Sequence, residues 1–392
     1  MKHCWAMVVG IGVAVLVGCG EGGSGPKTPT GKQPSVQTTT EQPLGGAEKQ
    51  AQPPPAEAEK QQASPSEPGK PPATAQAPPL DQIVQVPLGL PPLPIPADNP
   101  MTPEKIELGR MLYFDKRLSR DGTISCATCH DPQKAWAEDT PVSTGFKGQK
   151  GEFNSPTVIN TAYATSLFWD GRASSLEEQA LGPMENPIEM AHDLDELVKQ
   201  LSEIPKYKEM FQKVFGTDVT KEGMAKAIAA FERTVLSGNS PYDRYTKGND
   251  PNALTEAQKR GLDLFEQHCA VCHTPPLFSN YRFFNAGIGM DKDPPPAGRK
   301  AVTGKDDDLG KFRVPPLREV AKTAPYFHDG SVATLEEAVA IMADGGKDNP
   351  NLSPMMKAVR EAKLTEENRK DLVEFLKALS GEYPIVQPPE LP

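Results

Sequence analysis

The chain has 392 residues, a formal net charge of −10 at pH 7, 42 prolines and six cysteines. That length excludes a single small domain. The acidic balance argues against nucleic acid, which is bound through basic side chains, and favours basic protein partners.

The N-terminus carries Lys2 and then an apolar run, Val8 to Val17, too short to span a bilayer comfortably. With its small-residue end it reads as a signal peptide over residues 1–18. Leu16-Val17-Gly18-Cys19 resembles a bacterial lipobox, which makes Cys19 the candidate lipidation site. Position 20 is Gly rather than the Asp of inner-membrane retention. The expected location is therefore the periplasmic side of the envelope, anchored by lipid, with the outer membrane favoured. Residues 20–79 hold 13 of the prolines and no aromatic residue. Such a segment cannot bury enough apolar surface to offset its ordering entropy, so residues 19–96 are predicted to form a disordered, Pro-rich tether.

Cys4 leaves with the signal and Cys19 goes to lipid, so four cysteines remain in the body. Two disulfides are the default in an exported chain. Their context is different: Cys126-Ala127-Thr128-Cys129-His130 and Cys269-Ala270-Val271-Cys272-His273. This is the pattern of c-type haem attachment, in which two thiols hold the porphyrin and the adjoining His ligates iron. A zinc ribbon needs its two pairs about 15–20 residues apart, whereas these lie 143 residues apart.

Each motif follows a predicted helix. Thr102-Pro103-Glu104 is a cap with Pro at the first helical position, and Thr255 with Gln258 is a capping box before Cys269. Thr365 caps a last helix that Gly381 stops. The fold class expected is all-α, two tandem cytochrome c-like domains with long loops. They would span 97–250 and 251–383, joined near the Lys247-Gly248-Asn249-Asp250-Pro251 turn signal, with a tail over 384–392.

An iron with one protein ligand is open to chemistry, and one with two is suited to electron transfer. Further candidates in the body are His192, His268, His328 and the methionines. Met342, on the apolar stripe Leu335, Ala338, Val339 and Met342, reads by spacing alone as a core residue or as a ligand, with the core reading favoured. His192 reads as a first-turn polar residue, and His268 as a surface or propionate-side residue.

Five segments carry a closer likeness. Leu108-Gly109-Arg110-Met111-Leu112-Tyr113-Phe114-Asp115, Arg117-Leu118-Ser119, Asn154-Ser155-Pro156-Thr157-Val158, Phe168-Trp169-Asp170-Gly171-Arg172 and Ala324-Pro325-Tyr326-Phe327-His328-Asp329-Gly330 resemble the bacterial di-haem cytochrome c peroxidases. The resemblance runs from about residue 98 to 380. It implies a peroxidatic haem on His130 and an electron-entry haem on His273, with Met342, fourteen residues after His328, as that iron's sixth ligand. It further implies Glu189 as the acid–base group, Gln179 as its hydrogen-bonding companion, Trp169 between the haems, and a calcium ion on Asn154, Thr323 and Pro325. The substrate implied is hydrogen peroxide, and the electron donor a small c-type cytochrome or cupredoxin. Relatives are commonly dimers.

One departure stands out. Many relatives place an iron-ligating His on the loop before Asn-Ser-Pro-Thr, whereas here the loop 144–153 has Phe146 at that position and no His. The first iron is then expected to be open without reductive activation, unless His192 substitutes. The rival functions are a di-haem oxygenase or cofactor-maturation enzyme of the same superfamily, and a lipid-anchored di-haem electron carrier.

Overall fold

The computed structural model describes residues 79–392; the signal peptide, Cys19 and nearly all of the tether lie outside the described residues. The first half of the body contains α1 (Pro103–Phe114), α2 (Leu176–Glu185), α3 (Leu194–Ser202), α4 (Pro205–Phe215) and α5 (Lys221–Glu232). The segment α6 (Pro241–Thr246) lies just ahead of the join, and the second half contains α7 (Glu256–His268), α8 (Leu335–Ala343), α9 (Pro354–Glu361) and α10 (Glu366–Lys377). The described sheet is a two-residue antiparallel pair, β1 (Phe283–Phe284) with β2 (Phe312–Arg313). The all-α, tandem cytochrome c-like expectation holds.

Caps form where the sequence puts them. Thr102 accepts from Lys105 N at the start of α1, Thr255 and Gln258 close a box on α7, and Thr365 opens α10. Each satisfies backbone N–H groups that a helix start leaves unpaired. The two halves then repeat one packing device. A Cβ on Gly109 of α1 would lie 1.9 Å from Ala227 O and 2.9 Å from Phe231 Cβ of α5. A Cβ on Gly261 of α7 would lie 2.0 Å from Asp371 O and 2.7 Å from Phe375 Cβ of α10. In each half the helix that leads to the Cys-x-x-Cys-His motif presses its glycine against a helix carrying a buried Phe, and any side chain would force the backbones apart. Around these crossings lie two aromatic clusters, Tyr113, Trp136 and Phe231 in the first half and Phe265, Phe278 and Phe375 in the second.

The junction is polar and buried. Arg318 makes a two-pronged ion pair with Asp243 of α6, both bonds 2.8 Å, and donates through Nε to Pro276 O. Both side chains are about 1 % exposed, so loss of either partner would strand a charge and cost about 3–5 kcal/mol.

Two boundaries differ from those expected. Residues 84–96, assigned to the tether for their prolines, are packed on the body: Val84 and Leu93 are buried with Met101 and Leu236. Pro91 O accepts from Tyr163, Leu88 O accepts from Asn239 N, and a Cβ on Gly89 would strike Asp243 Oδ1. Extended Pro-rich backbone makes no internal hydrogen bonds, so these carbonyls are free for tertiary partners. The tail 384–392 is also fastened, since Pro384 O accepts from Trp136 Nε1 at 2.8 Å and Gln387 O from Arg110.

Candidate active site

At the first motif, a single helical turn spans Cys126–Cys129, with Thr128 Oγ1 accepting from Ser125 N at 2.9 Å. It sets both thiols on one side and His130 directly after them. Nδ1 of His130 lies 2.9 Å from Pro156 O. That contact fixes the proton on Nδ1 and leaves Nε2 as the ligating nitrogen. Burial lowers the imidazole pKa, which keeps it in the neutral, iron-binding form. The second motif repeats the design: His273 Nδ1 lies 3.1 Å from Phe278 O, and burial brings its pKa down to about 4.

All four cysteines are free thiols, so the disulfide alternative does not arise. Burial pushes the thiol of Cys129 up to about 11, and Cys126, Cys269 and Cys272 also rise. Unpaired thiols beside neutral imidazoles with one nitrogen already engaged fit a covalently attached haem at each motif. Around His273 the fit extends further. Cys269, Cys272, His273 and Met342 line one largely apolar cavity, with Val339 and Leu372 among its walls.

Glu189 sits just beyond α2, on a turn built by Asn186. The amide Nδ2 of Asn186 donates to Glu189 Oε1 at 2.7 Å, its Oδ1 accepts from Ile188 N at 3.1 Å, and its backbone O accepts from Glu189 N at 3.0 Å. Burial raises the carboxyl pKa, while Asn186 and the charge of Arg172 pull it partly back. The carboxylate's charge reaches the Cys129 thiol, whose pKa it helps to raise, so Glu189 belongs to the first motif's surroundings. Gln179 is half-buried on α2, one turn before Pro183.

The loop with Phe146 is docked on this turn. Phe146 N donates to Glu189 O at 2.7 Å, Gln149 Nε2 donates to Pro187 O at 3.1 Å, and Thr144 pairs with Lys150 across the loop's neck. The ring of His192 lies against α3: Nδ1 is 2.9 Å from Asp193 O and Nε2 3.2 Å from Gln200 Oε1.

Between the motifs, Trp169 Nε1 donates to Asn154 O at 2.8 Å, and Trp169 O accepts from Arg313 N of β2. The backbone carbonyl of Trp169 therefore ties the first half to the second, while its indole is anchored within the first. It meets His328 edge-on at 6.4 Å, and His328 stacks on Phe312 at 3.6 Å. Asn154, Thr323 and Pro325 border the same cavity as His273. They offer neutral oxygens, and among the described residues no group of three or more His, Cys, Asp and Glu side chains is gathered as a metal site. His268 also lines this cavity.

Sequence reasoning missed Asn186, Arg172 and the stack of His328 on Phe312. An Asn three residues before an acid, ahead of Pro187, is a turn signal that was there to be read. The partners of His328 are distant in sequence and left no local trace.

Comparison with known proteins matches residues 103–251 to the family model described as di-haem cytochrome c peroxidase and residues 258–380 to that of cytochrome c. The cytochrome c551 peroxidase of Pseudomonas aeruginosa is 41% identical over 75% of this chain and 84% of its own. The methylamine utilization protein MauG of Methylorubrum extorquens is 37% identical over 76% and 85%. The crystal structure of a MauG-like protein associated with microbial copper homeostasis superposes with a TM-score of 0.70 at 34% identity, covering 78% of this chain and 97% of that one. The chain belongs to the di-haem cytochrome c peroxidase/MauG family of oxidoreductases.

Proposed function

We propose that the protein reduces hydrogen peroxide to water at its first haem, with electrons that enter at the second from a small soluble c-type cytochrome or cupredoxin. The observation that carries this reading is the asymmetry of the two motifs. Met342 shares the cavity of His273, which suits a six-coordinate relay whose His/Met pair raises the potential. The first motif instead has a half-buried carboxylate, Glu189, in its surroundings. His192 is bonded elsewhere and the loop carries Phe146, so neither supplies a second ligand.

A haem held by Cys126, Cys129 and His130 would supply the redox chemistry that cleaves the O–O bond of peroxide. Glu189 takes the proton from the oxygen that binds and returns it to the oxygen that leaves. Gln179 orients the bound oxygen by hydrogen bonding, and Trp169 occupies the path between the halves. Two electrons and two protons convert one peroxide to two waters. A calcium ion held by oxygens of Asn154, Thr323 and Pro325 would brace that path. Lipid attachment at Cys19 would hold the enzyme on the periplasmic side of the envelope, and its acidic surface suits a basic donor.

The test is peroxide consumption with reduced cytochrome c, using the fully oxidised holoenzyme with no prior reduction. Turnover is expected at once, with a high-spin ferric signal in electron paramagnetic resonance. Glu189→Ala should lower turnover by about 10²–10⁴; an unchanged rate would defeat the reading. A second reading, oxidation of a protein substrate, is favoured by the MauG relative and by the missing loop His. It predicts no peroxide turnover with a competent donor.

A further inference from the structure

Asn186 braces the turn that carries Glu189 with three hydrogen bonds, two of them to Glu189 itself. Its Oδ1 accepts from Ile188 N, its backbone O accepts from Glu189 N, and its Nδ2 donates to Glu189 Oε1 at 2.7 Å. The amide orientation follows from the partners: an N–H of Ile188 needs an acceptor and a carboxylate oxygen needs a donor, so a flipped amide would leave both contacts repulsive. The turn itself cannot slide. A Cβ on Gly145 would lie 2.0 Å from Ile188 O and 2.8 Å from Glu189 Cα, so the loop backbone is pressed directly on it. Phe146 N and Gln149 Nε2 donate to its carbonyls.

We propose that Asn186 is the positioning residue for Glu189, its side-chain amide fixing both the direction of the carboxylate and the protonation state from which it works. The inference rests on the reading of Glu189 as the acid–base group. A carboxylate free to rotate would present its lone pairs to the bound oxygen only part of the time. One held by a neutral amide keeps one oxygen engaged and offers the other. Among the groups facing this carboxylate, Asn186 is the direct donor. Arg172 acts by charge from a distance while paired with Asp170, and Cys129 is a thiol. On the docked loop, Lys147 lies over the ring of Phe146 and Lys150 is bonded to Thr144.

The decisive variant is Asn186→Asp in the haem-loaded protein. It keeps the acceptor for Ile188 N, and hence the turn, while replacing the donor with a second acceptor. Turnover at neutral pH should fall about tenfold or more, the rate equivalent of a hydrogen bond to a charged group. The acid limb of the pH–rate profile should move to higher pH, because the carboxylate has lost the contact that favours its charged form. An infrared carboxyl band, assigned to Glu189 by its absence in Glu189→Gln, should titrate at correspondingly higher pH. Asn186→Ser, too short to reach Oε1 but able to cap Ile188 N, should shift the same limb and band in the same direction, and it serves if Asn186→Asp does not fold. A normal rate, limb and band in the folded variant would overturn the proposal and leave Asn186 as a turn former only. Full turnover by Glu189→Gln would instead overturn the functional reading, and this inference with it.

Discussion

The two halves of the body present their Cys-x-x-Cys-His motifs in the same way and differ in what surrounds each motif. In both, a glycine on the approach helix meets a Phe-bearing helix, a Cys-x-x-Cys turn follows, and a half-buried His donates its Nδ1–H to a backbone carbonyl. Beyond that point they diverge. The second site is walled by apolar side chains and offers Met342; the first has a carboxylate on a braced turn. Under the proposed function, duplicated attachment would leave the division between relay and catalyst to these few residues.

The comparison breaks most visibly at Met342. Met342→Ala removes the thioether that the second site has and the first lacks. The potential of that haem should fall on the order of 100 mV, within the roughly 0.8 V that axial ligands command. Donor-driven turnover should nearly vanish while peroxide still binds, as spectroelectrochemistry with stopped-flow mixing would show.

The opposite change gives the first site a ligand of its own. In Phe146→His the backbone N of residue 146 stays tied to Glu189 O, and an imidazole then competes for the first iron. The oxidised protein should become low-spin, with turnover falling roughly tenfold and recovering after pre-reduction. An unaltered high-spin resonance would show that residue 146 does not face the iron.

A smaller effect is expected at Glu232, on the last turn of α5. Its carboxyl is buried, Oε2 has no partner among the described residues, and burial raises its pKa from 4.5 to about 8. Between those values the folded chain keeps a proton that the unfolded chain releases. This group therefore lowers stability progressively as pH rises through that window, and no further above it. Glu232→Gln should remove the slope and raise Tm at pH 8 by about 2–4 °C, measured by calorimetry at pH 5 and pH 8.

Much of this was legible in the chain because its signals are local. Helix starts at Thr102, Thr255 and Thr365 depend on residues three or four apart, and the haem motifs on five consecutive ones. The family likeness supplied Glu189 and Met342, which no local pattern in the chain singles out. What escaped was tertiary: the Arg318 to Asp243 pair spans 75 residues, and the segment 84–96 looks unstructured until Leu236 and Tyr163 are brought against it. Proline content marks a stretch that cannot form helix or sheet alone, and does not say whether another surface will receive it.

The bond from Trp136 to Pro384 has a practical corollary for anyone wishing to dissect the molecule. Trp136 lies six residues after the first iron ligand, yet its indole is satisfied by a carbonyl beyond the last helix, where Tyr383 and Val386 also cover the first core. A fragment cut at residue 250 would bare that indole and the apolar floor beneath it, and would aggregate or bind haem poorly. Swapping halves between relatives would need to carry this returning segment along with the recipient half.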